Sequence, residues 1–220
     1  MSVPVIPCVD RPQRRWTLLL ILLVLLAGCS TPLPRPAEPA PDPAALAWTT
    51  RQARLAPRTR YALRGRLAIQ RGNEGAQAQF DWRQDDRHWE LRLLAPLGQG
   101  TVRLEGNPAG VTLTTVDGER YSAADLDALM TTHLQWSLPV GGARYWILGL
   151  PVPDRPVAQL ALDATGRLTD LAQDGWRISV LEYGEAPGLA PTEALPKRLF
   201  MLGKDVQLRL VVTAWTTPPH

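Results

Sequence analysis

Short segments in which apolar and polar residues alternate fill most of the chain after residue 60. In residues 61–70, for example, Leu63 and Leu67 fall on one side of such a segment, while Arg64 and Arg66 fall on the other. Successive side chains of a β-strand point to opposite faces, so this period of two predicts strands with one buried and one solvated face. Because a single strand cannot bury its apolar face alone, the chain must gather many strands into a sheet and cover that face.

The pattern repeats often enough to predict about eleven strands in one folded domain. Tight turns between them are indicated by Asp117-Gly118, Asp174-Gly175 and Gly203-Lys204-Asp205. Regularly spaced short strands are typical of an antiparallel barrel or sandwich, and roughly 175 residues suit one domain. The predicted strands are residues 61–70, 76–83, 89–94, 101–106, 111–116, a short strand near Tyr121, 157–163, 167–173, 176–183, 196–202 and 206–215.

Helices are predicted where the period of two is lost. Residues 44–56 follow Asp42 and Pro43, residue types that are favoured at the start of a helix. Residues 123–134 repeat apolar side chains at helical spacing, and the Gly- and Pro-rich passage that continues to Ile147 can hold a second short helix. If the sheet curls, its interior must be filled, so the helices at 44–56 and 123–134 are predicted to plug it.

The first residues of the chain have the features of a secretion signal. Residues 16–26 are apolar apart from one threonine and follow three arginines, but this run is too short to cross a hydrocarbon core of roughly 30 Å as a helix. The stretch Leu26-Ala27-Gly28-Cys29 resembles the bacterial lipoprotein signal, which implies that Cys29 is acylated and becomes the first residue after cleavage. The alternative is a chance cysteine in an ordinary signal peptide.

These features predict four regions along the chain. Residues 1–28 are a signal peptide that is removed, 29–43 are the acylated cysteine and a Pro-rich tether, 44–217 are the folded domain, and 218–220 are a short tail. Six of the residues from 30 to 43 are proline, which is typical of an extended spacer. In the lipoprotein signal the cysteine is diacylated and, after cleavage, also N-acylated, so Cys29 is expected to carry three acyl chains. Three such chains anchor a protein almost permanently, because each buried methylene contributes about 0.8 kcal/mol.

Charge and cysteine content exclude several kinds of partner and site. Removal of residues 1–28 leaves Cys29 as the only cysteine, so no disulfide within the chain is expected. It also lowers the net charge from +3 to about +1, which gives no basis for binding nucleic acid. Arg51, Arg54 and Arg58 share one side of the first predicted helix, and such a row is most often a solvated face.

No arrangement of reactive side chains predicts catalysis. The three histidines lack the spacing of metal ligands, and the sequence has no Gly-rich phosphate loop, nucleophile elbow or zinc-protease motif. The acidic pairs Asp85-Asp86 and Asp125 with Asp127 fall in a turn and in the first turn of a helix, where acids are favoured for structural reasons. We therefore predict that the protein is not an enzyme and has no cofactor and no metal site.

Tryptophan is unusually frequent in the folded part. Its large flat side chain makes a broad, semi-rigid apolar wall, although tryptophans that simply fill a core are the alternative. After Cys29 the chain has two phenylalanines and the seven tryptophans Trp48, Trp82, Trp89, Trp136, Trp146, Trp176 and Trp215.

The predicted turn Pro96-Leu97-Gly98 carries a leucine at its tip. Turns favour residues that supply special dihedral angles or local hydrogen bonds, and leucine supplies neither. A leucine there is either one singly exposed apolar residue, which is common, or a group that contacts something apolar.

Taken together, these stretches resemble the LolB family of outer-membrane lipoprotein receptors, which act last in a lipoprotein localisation pathway. The resemblance covers about residues 45–215, and the order and spacing of the stretches carry it. The matching stretches are Gly65 to Ala68, Phe80 to Trp82, Ala95 to Gly98, Gly118 to Tyr121, Trp146 to Pro151, Asp174 to Trp176, Leu195-Pro196 and Trp215.

The resemblance implies an incomplete antiparallel β-barrel of about eleven strands, with helices plugging its mouth around an apolar cavity. That cavity is expected to take the acyl chains of lipoproteins handed over by the periplasmic carrier LolA. Pro96, Leu97 and Gly98 are then the loop that contacts the membrane, which accounts for an exposed leucine. By the same correspondence the cavity wall falls on Trp48, Trp82, Trp146, Trp176 and Trp215.

The resemblance also implies a monomer that is lipid-anchored on the periplasmic face of the outer membrane. Its expected partners are LolA, lipoprotein acyl chains and outer-membrane lipid. Ser30 follows Cys29, where an aspartate would resemble the retention signal of enterobacterial inner-membrane lipoproteins. Two other functions stay open: an anchored scaffold lipoprotein with a solid core that binds a protein partner, and, disfavoured by the missing nucleophile elbow, a lipase-like hydrolase.

Overall fold

One antiparallel sheet of eleven strands makes up most of the described protein. The computed structural model describes residues 42–96, 100–133, 138–187, 189 and 193–216, all within the unit Pro41–His220. The predicted signal peptide, Cys29, nearly all of the tether and the C-terminal tail lie outside the described residues. The predicted division of the chain into these regions and a folded domain of residues 44–217 stays a prediction.

The strands run in the order β6-β5-β4-β3-β2-β1-β11-β10-β9-β8-β7, so the first and last strands pair at the centre of the sheet. The edges β6 and β7 do not pair with each other, and the sheet is therefore open, not closed into a barrel. The predicted number of strands is confirmed, and their ends lie within two residues of the prediction. The strands are β1 Arg60–Arg71, β2 Glu74–Asp85, β3 His88–Leu94, β4 Thr101–Asn107, β5 Gly110–Thr114, β6 Arg120–Ala123, β7 Val157–Leu162, β8 Leu168–Gln173, β9 Trp176–Gly184, β10 Leu195–Leu202 and β11 Gln207–Thr216.

The two faces of the sheet differ as the alternation predicts. On β1, Tyr61, Leu63 and Leu67 are buried in the core. On the opposite face Arg64 lies across from Asp81 of β2. Asp81 in turn lies across from Arg92 of β3, which lies across from Arg103 of β4. Opposite charges on neighbouring strands attract one another, and they are paired between β1, β2 and β3, whereas β3 and β4 place Arg92 opposite Arg103.

A glycine lets the central strands come close together. Gly65 lies at a register shift between β1 and β11, and a Cβ atom there would be 2.1 Å from the carbonyl oxygen of Val211 and 2.7 Å from the ring of Phe80. Bulges of this kind bend a strand and increase its twist.

Three helices accompany the sheet in the described part of the chain: α1 Pro43–Leu55, α2 Leu126–His133 and α3 Val140–Trp146. Helix α1 begins as predicted, with the Asp42 side chain accepting a hydrogen bond of 3.0 Å from the Ala44 amide. Helix α2 begins three residues later than predicted, because β6 continues to Ala123, which pairs with Val111 of β5.

Helix α1 packs on the turn between β7 and β8. At Gly166 in this turn, a Cβ atom would be 2.6 Å from the Trp48 amide nitrogen and 2.7 Å from the Ala44 carbonyl oxygen. The turn is held by Asp163, which accepts hydrogen bonds from Thr165 and Arg167. Burial alone would raise the pKa of Asp163, but these hydrogen bonds outweigh it and lower the pKa to about 2.

The prediction of a solvated arginine row on α1 is wrong for Arg51. This side chain is only 7% exposed and donates a hydrogen bond of 2.6 Å to the carbonyl oxygen of Ala194. Its guanidinium group also lies 5.3 Å from the centre of the Tyr183 ring, a favourable cation–π contact. Burial lowers the pKa of Arg51, which stays a cation at neutral pH. Sequence spacing could not reveal this, because Ala194 and Tyr183 are more than 100 residues away.

We predict that Gly166→Ala destabilises the protein more than Gly175→Ala. Both glycines have a positive φ, +73° and +76°, so both substitutions carry a backbone cost of about 1–2 kcal/mol. Gly175 has no other atom within 4 Å of the added Cβ, whereas at Gly166 the methyl group would meet the backbone of α1. We expect an additional loss of about 1–3 kcal/mol for Gly166→Ala, measured by chemical denaturation. Equal losses would contradict the close packing of α1.

Candidate functional site

The central strands and the chain from 138 to 147 enclose a small apolar space, which we call the cleft. Its volume is about 40 Å³. The sheet side of the cleft is formed by β1, β2, β3, β10 and β11, and the other side by α3 with its flanking residues. The lining residues are Leu67, Phe80, Trp82, Leu91, Leu138, Pro139, Val140, Ala143, Ile147, Met201, Leu208 and Leu210.

The side chains of the protein itself nearly fill this space. A volume of about 40 Å³ has room for a few water molecules at most, because one water molecule needs roughly 10–15 Å³ on the same measure. An acyl chain with many methylene groups does not fit into the cleft as it stands. The cleft could admit such a chain only if the cover formed by residues 138–147 moved away from the sheet.

The covering helix is held at its C-terminal end by buried hydrogen bonds. The Gln173 side chain accepts bonds from the Trp146 indole, 3.2 Å, and the Val152 amide, 2.8 Å, and donates to the Val152 carbonyl oxygen. Gln173 is only 2% exposed, so these bonds are shielded from water. They attach the end of α3 and the chain after it firmly to β8.

The middle of α3 is held to β1 by one further hydrogen bond. The Tyr61 hydroxyl donates to the carbonyl oxygen of Arg144 at 2.8 Å. Burial raises the pKa of the Tyr61 hydroxyl well above its usual value, which keeps this donor protonated.

The N-terminal end of α3 is held less firmly than its middle and its C-terminal end. It contains Gly141 and Gly142, and each glycine in a helix costs up to about 1 kcal/mol relative to alanine. No side chain caps this end of the helix. The residues over the cleft, Val140 and Ala143, are therefore attached mainly by apolar packing.

The five predicted cavity tryptophans do not all meet at the cleft. Trp82 lines it, and its indole lies 3.4 Å from the buried side-chain oxygen of Gln84. The other four pack in or against the core: Trp146 and Trp176 contact each other with ring centres 6.4 Å apart, Trp215 meets Tyr61 at 5.8 Å, and half-buried Trp48 lies on α1. Their role as a wall for acyl chains stays a prediction.

Sequence reasoning missed the covering residues of the cleft. Leu138, Val140, Ala143 and Ile147 have no period that distinguishes a cover from an ordinary core segment. The useful signal was the pair Gly141-Gly142 after Pro139, which indicates a short helix of low intrinsic stability. Gln173 gave no signal, because its partners Trp146 and Val152 lie 27 and 21 residues away along the chain.

The predicted membrane loop is described only at its ends. Leu97 and Gly98 lie outside the described residues, whereas Pro96 is exposed. The Ala95 amide donates a hydrogen bond of 3.0 Å to the Gly100 carbonyl oxygen, so the chain returns to the sheet directly after the loop. Val116 is 50% exposed and lies so close to Gly100 that a Cβ there would be 2.1 Å from it. The exposed apolar side chain of Val116 thus lies next to the residue at which this loop ends.

Within the residues that the structure describes, no three His, Cys, Asp or Glu side chains are grouped so that they could hold a metal ion. Among these residues, no helix combines the length and the apolar character needed to cross a membrane.

A known fold neighbour has the same kind of architecture. A LolA superfamily protein from Nitrosomonas europaea superimposes with a TM-score of 0.51 at 7% sequence identity, over 80% of this chain and 94% of that one. At this identity the likeness concerns the fold alone.

Sequence relatives define the family. Residues 59–215 match the family model described as outer membrane lipoprotein LolB. The outer-membrane lipoprotein LolB of Nitrosococcus oceani is 41% identical over 201 residues, which cover 91% of this chain and 96% of that protein. The protein of the same name from Pseudomonas putida is 36% identical over 195 residues, or 88% of this chain and 92% of that one. The resemblance found in the sequence is confirmed, and with it the expected location: the chain belongs to the LolB family of lipid-anchored outer-membrane lipoproteins.

Proposed function

We propose that the protein accepts lipoproteins from the periplasmic carrier LolA, holds their acyl chains at the cleft and inserts them into the outer membrane. The observation that carries this proposal is an apolar cleft beneath a short helix whose glycine-containing start is held mainly by packing. Family membership supports a receptor in lipoprotein localisation.

The physical need for such a receptor is large. Three acyl chains of about 16 carbons hold some 40 methylenes, so exposing them to water would cost on the order of 30 kcal/mol. A direct passage from the cavity of one protein to that of another avoids this cost. The receptor must therefore bind the chains better than the carrier does and less well than the bilayer does.

The cover of the cleft supplies a way to reach this intermediate affinity. When the start of α3 moves away, Val140 and Ala143 leave the sheet, and acyl chains take their place against Leu67, Phe80 and the other strand residues. Burial of apolar surface is non-directional, so one apolar cover can replace another. Trp82 contacts the chains first, and Trp48, Trp146, Trp176 and Trp215 extend the wall as the core opens.

The other assigned residues attach this receptor to the membrane. Cys29 carries the lipid anchor, and the Pro-rich segment after it spaces the domain from the bilayer. Leu97, between Pro96 and Gly98, enters the lipid during delivery, and Val116 beside the end of the loop adds apolar surface. The protein works as a monomer and without a cofactor.

An anchored scaffold lipoprotein is the second candidate function. The observation that favours it is the nearly filled interior, because a scaffold needs a solid core and no space for a ligand. A scaffold would bind a protein partner through its surface and would not bind acyl chains. The next prediction distinguishes the two functions.

We predict that Leu210→Glu prevents the uptake of a labelled triacylated lipoprotein from loaded LolA. Leu210 is half-buried and lines the cleft, so a carboxylate there would have to be desolvated when an acyl chain enters. Leu202→Glu is the matched control, because Leu202 is also half-buried but alternates with Met201 onto the opposite face of β10. We expect transfer to fall at least tenfold for Leu210→Glu alone, measured by co-purification of cargo. Unchanged transfer would favour the scaffold function.

A second prediction concerns the cover itself. Tyr61→Phe removes the hydrogen bond to the Arg144 carbonyl oxygen but keeps the ring that contacts Trp215. One such bond contributes about 0.5–1.5 kcal/mol, so we expect the amides of residues 140–146 to exchange with deuterium about two- to tenfold faster. Acyl-chain binding should become faster as well, because the open state is more populated.

Tyr183→Phe is the control for this experiment. The Tyr183 hydroxyl also donates to a backbone carbonyl oxygen, that of Leu168 at 2.7 Å, but it joins β9 to β8 and not to α3. It should leave the exchange of residues 140–146 unchanged. Equal acceleration by both variants would mean that only global stability had changed.

A third prediction concerns the membrane loop. Leu97→Glu should leave the uptake of cargo from LolA intact and slow its delivery into vesicles about tenfold or more, because a carboxylate does not enter hydrocarbon. Leu181→Glu is the control, since Leu181 is a 63% exposed leucine of β9. Delivery into vesicles of outer-membrane lipid is measured by flotation of the labelled cargo. Normal delivery by Leu97→Glu would contradict insertion of the loop.

A further inference from the structure

A second pocket lies beside α3 and shares no lining residue with the cleft; we call it the arginine pocket. It has a volume of about 280 Å³ and lies between the end of α1, the start of β1, the turn after β2 and the chain around α3. Arg58 and Arg144 contribute its positive charges, with Gln52 and Thr59 as further polar groups. Its apolar wall consists of Leu148, Leu150, Pro151 and Pro153.

The two guanidinium groups lack a carboxylate partner among the described residues. Arg144 donates a hydrogen bond of 2.9 Å to the neighbouring Tyr145 hydroxyl and lies 4.7 Å from the centre of that ring. Its Nε atom is buried and has no hydrogen-bond partner within the described part of the protein. A buried donor that is left unpaired costs about 1–3 kcal/mol. Such a donor is open to an acceptor from a water molecule or a ligand, as is the equally unpaired Nε atom of Arg51 on α1.

The one carboxylate of the arginine pocket is already occupied. Asp86 accepts a hydrogen bond of 2.6 Å from the Thr59 hydroxyl, and one of its oxygens lies 3.5 Å from the Nε atom of Arg60. Asp86 therefore cannot neutralise both Arg58 and Arg144. The pocket keeps an excess of positive charge next to an apolar wall.

We propose that the arginine pocket binds the phosphate group of a phospholipid. Guanidinium groups bind phosphate oxygens through parallel, charge-assisted hydrogen bonds, and Arg58 and Arg144 supply two such groups. A free inorganic ion would use only the charges, whereas the leucines and prolines offer contact to the glycerol and the first methylenes of a lipid. Members of this family are attached to a membrane, so phospholipids are close to the protein at all times.

The arginine pocket and the cleft have no lining residue in common. Arg58 and Arg144 are absent from the lining of the cleft, and a lipid headgroup could bind while α3 still covers the sheet. The two surfaces nevertheless share α3, because the Arg144 side chain reaches the arginine pocket while its carbonyl oxygen accepts the bond from Tyr61.

Calorimetric titration of the full chain in neutral detergent tests this proposal. The probes are dihexanoyl-phosphatidylglycerol, dihexanoylglycerol, which lacks the phosphate, and inorganic phosphate. We expect the phospholipid to bind at least tenfold more tightly than either of the other two. Equal binding of dihexanoylglycerol would reveal a merely apolar site, and equal binding of inorganic phosphate would reveal a simple anion site; either result would overturn the proposal.

Variants locate the site. Arg144→Gln and Arg58→Gln should each weaken phospholipid binding about tenfold, and Arg144→Lys should restore part of it. Arg177→Gln, at an exposed arginine of β9, is the matched control and should bind as the unmodified chain does. Thermal unfolding shows whether each variant is folded, and the half-buried Arg58 gives a folded test if Arg144→Gln fails. Unchanged binding by folded Arg58→Gln or Arg144→Gln would contradict the assignment. The transfer of cargo to the Leu210→Glu variant tests acyl-chain uptake, whereas the phospholipid titration tests the arginine pocket. Failure of one proposal therefore does not imply failure of the other.

Discussion

An open sheet with one apolar face must have that face covered, and the rest of this structure depends on how the cover is made. At the centre of the sheet the cover is α3, a helix of seven residues, with the short chain segments on either side. Its C-terminal end is fixed by the buried Gln173, while its start carries two glycines and lies over the cleft by apolar packing. The C-terminal end of α3 is thus held firmly to the sheet, whereas its N-terminal end is held by apolar contacts that another apolar group can replace.

This asymmetry gives a physical account of an intermediate affinity. Acyl chains that enter the cleft must first displace a cover that is itself apolar, so part of their binding free energy is spent on opening. A receptor whose cavity stood permanently open would bind the chains more tightly and would release them less readily. In the proposed function, the weak start of α3 would serve both steps: it would let the cleft open, and it would compete with the chains that occupy it.

The sequence predicted the sheet well because strand alternation is a local property. The eleven strands and the beginning of α1 at Asp42 follow from neighbouring residues, and the structure confirms them. Features set by distant contacts were not predictable in this way. Arg51 is buried because Ala194 and Tyr183 meet it across the fold, and α2 starts late because Ala123 extends β6 to pair with Val111. The residues that cover the cleft have no apolar period that distinguishes them from other core residues. Only Gly141 and Gly142 indicated a short helix of low intrinsic stability there.

The two candidate binding surfaces are related through the helix that separates them. Val140 and Ala143 face the cleft, whereas Arg144 reaches the arginine pocket. A phospholipid in that pocket alters acyl-chain binding only to the extent that it binds the covered and the open forms differently. If it prefers the covered form, acyl chains and phospholipid weaken each other by the same factor, because such coupling is reciprocal. Binding of a membrane phospholipid would then weaken the binding of acyl chains and so favour the release of cargo at the membrane. The free energy for this release would come from phospholipid binding.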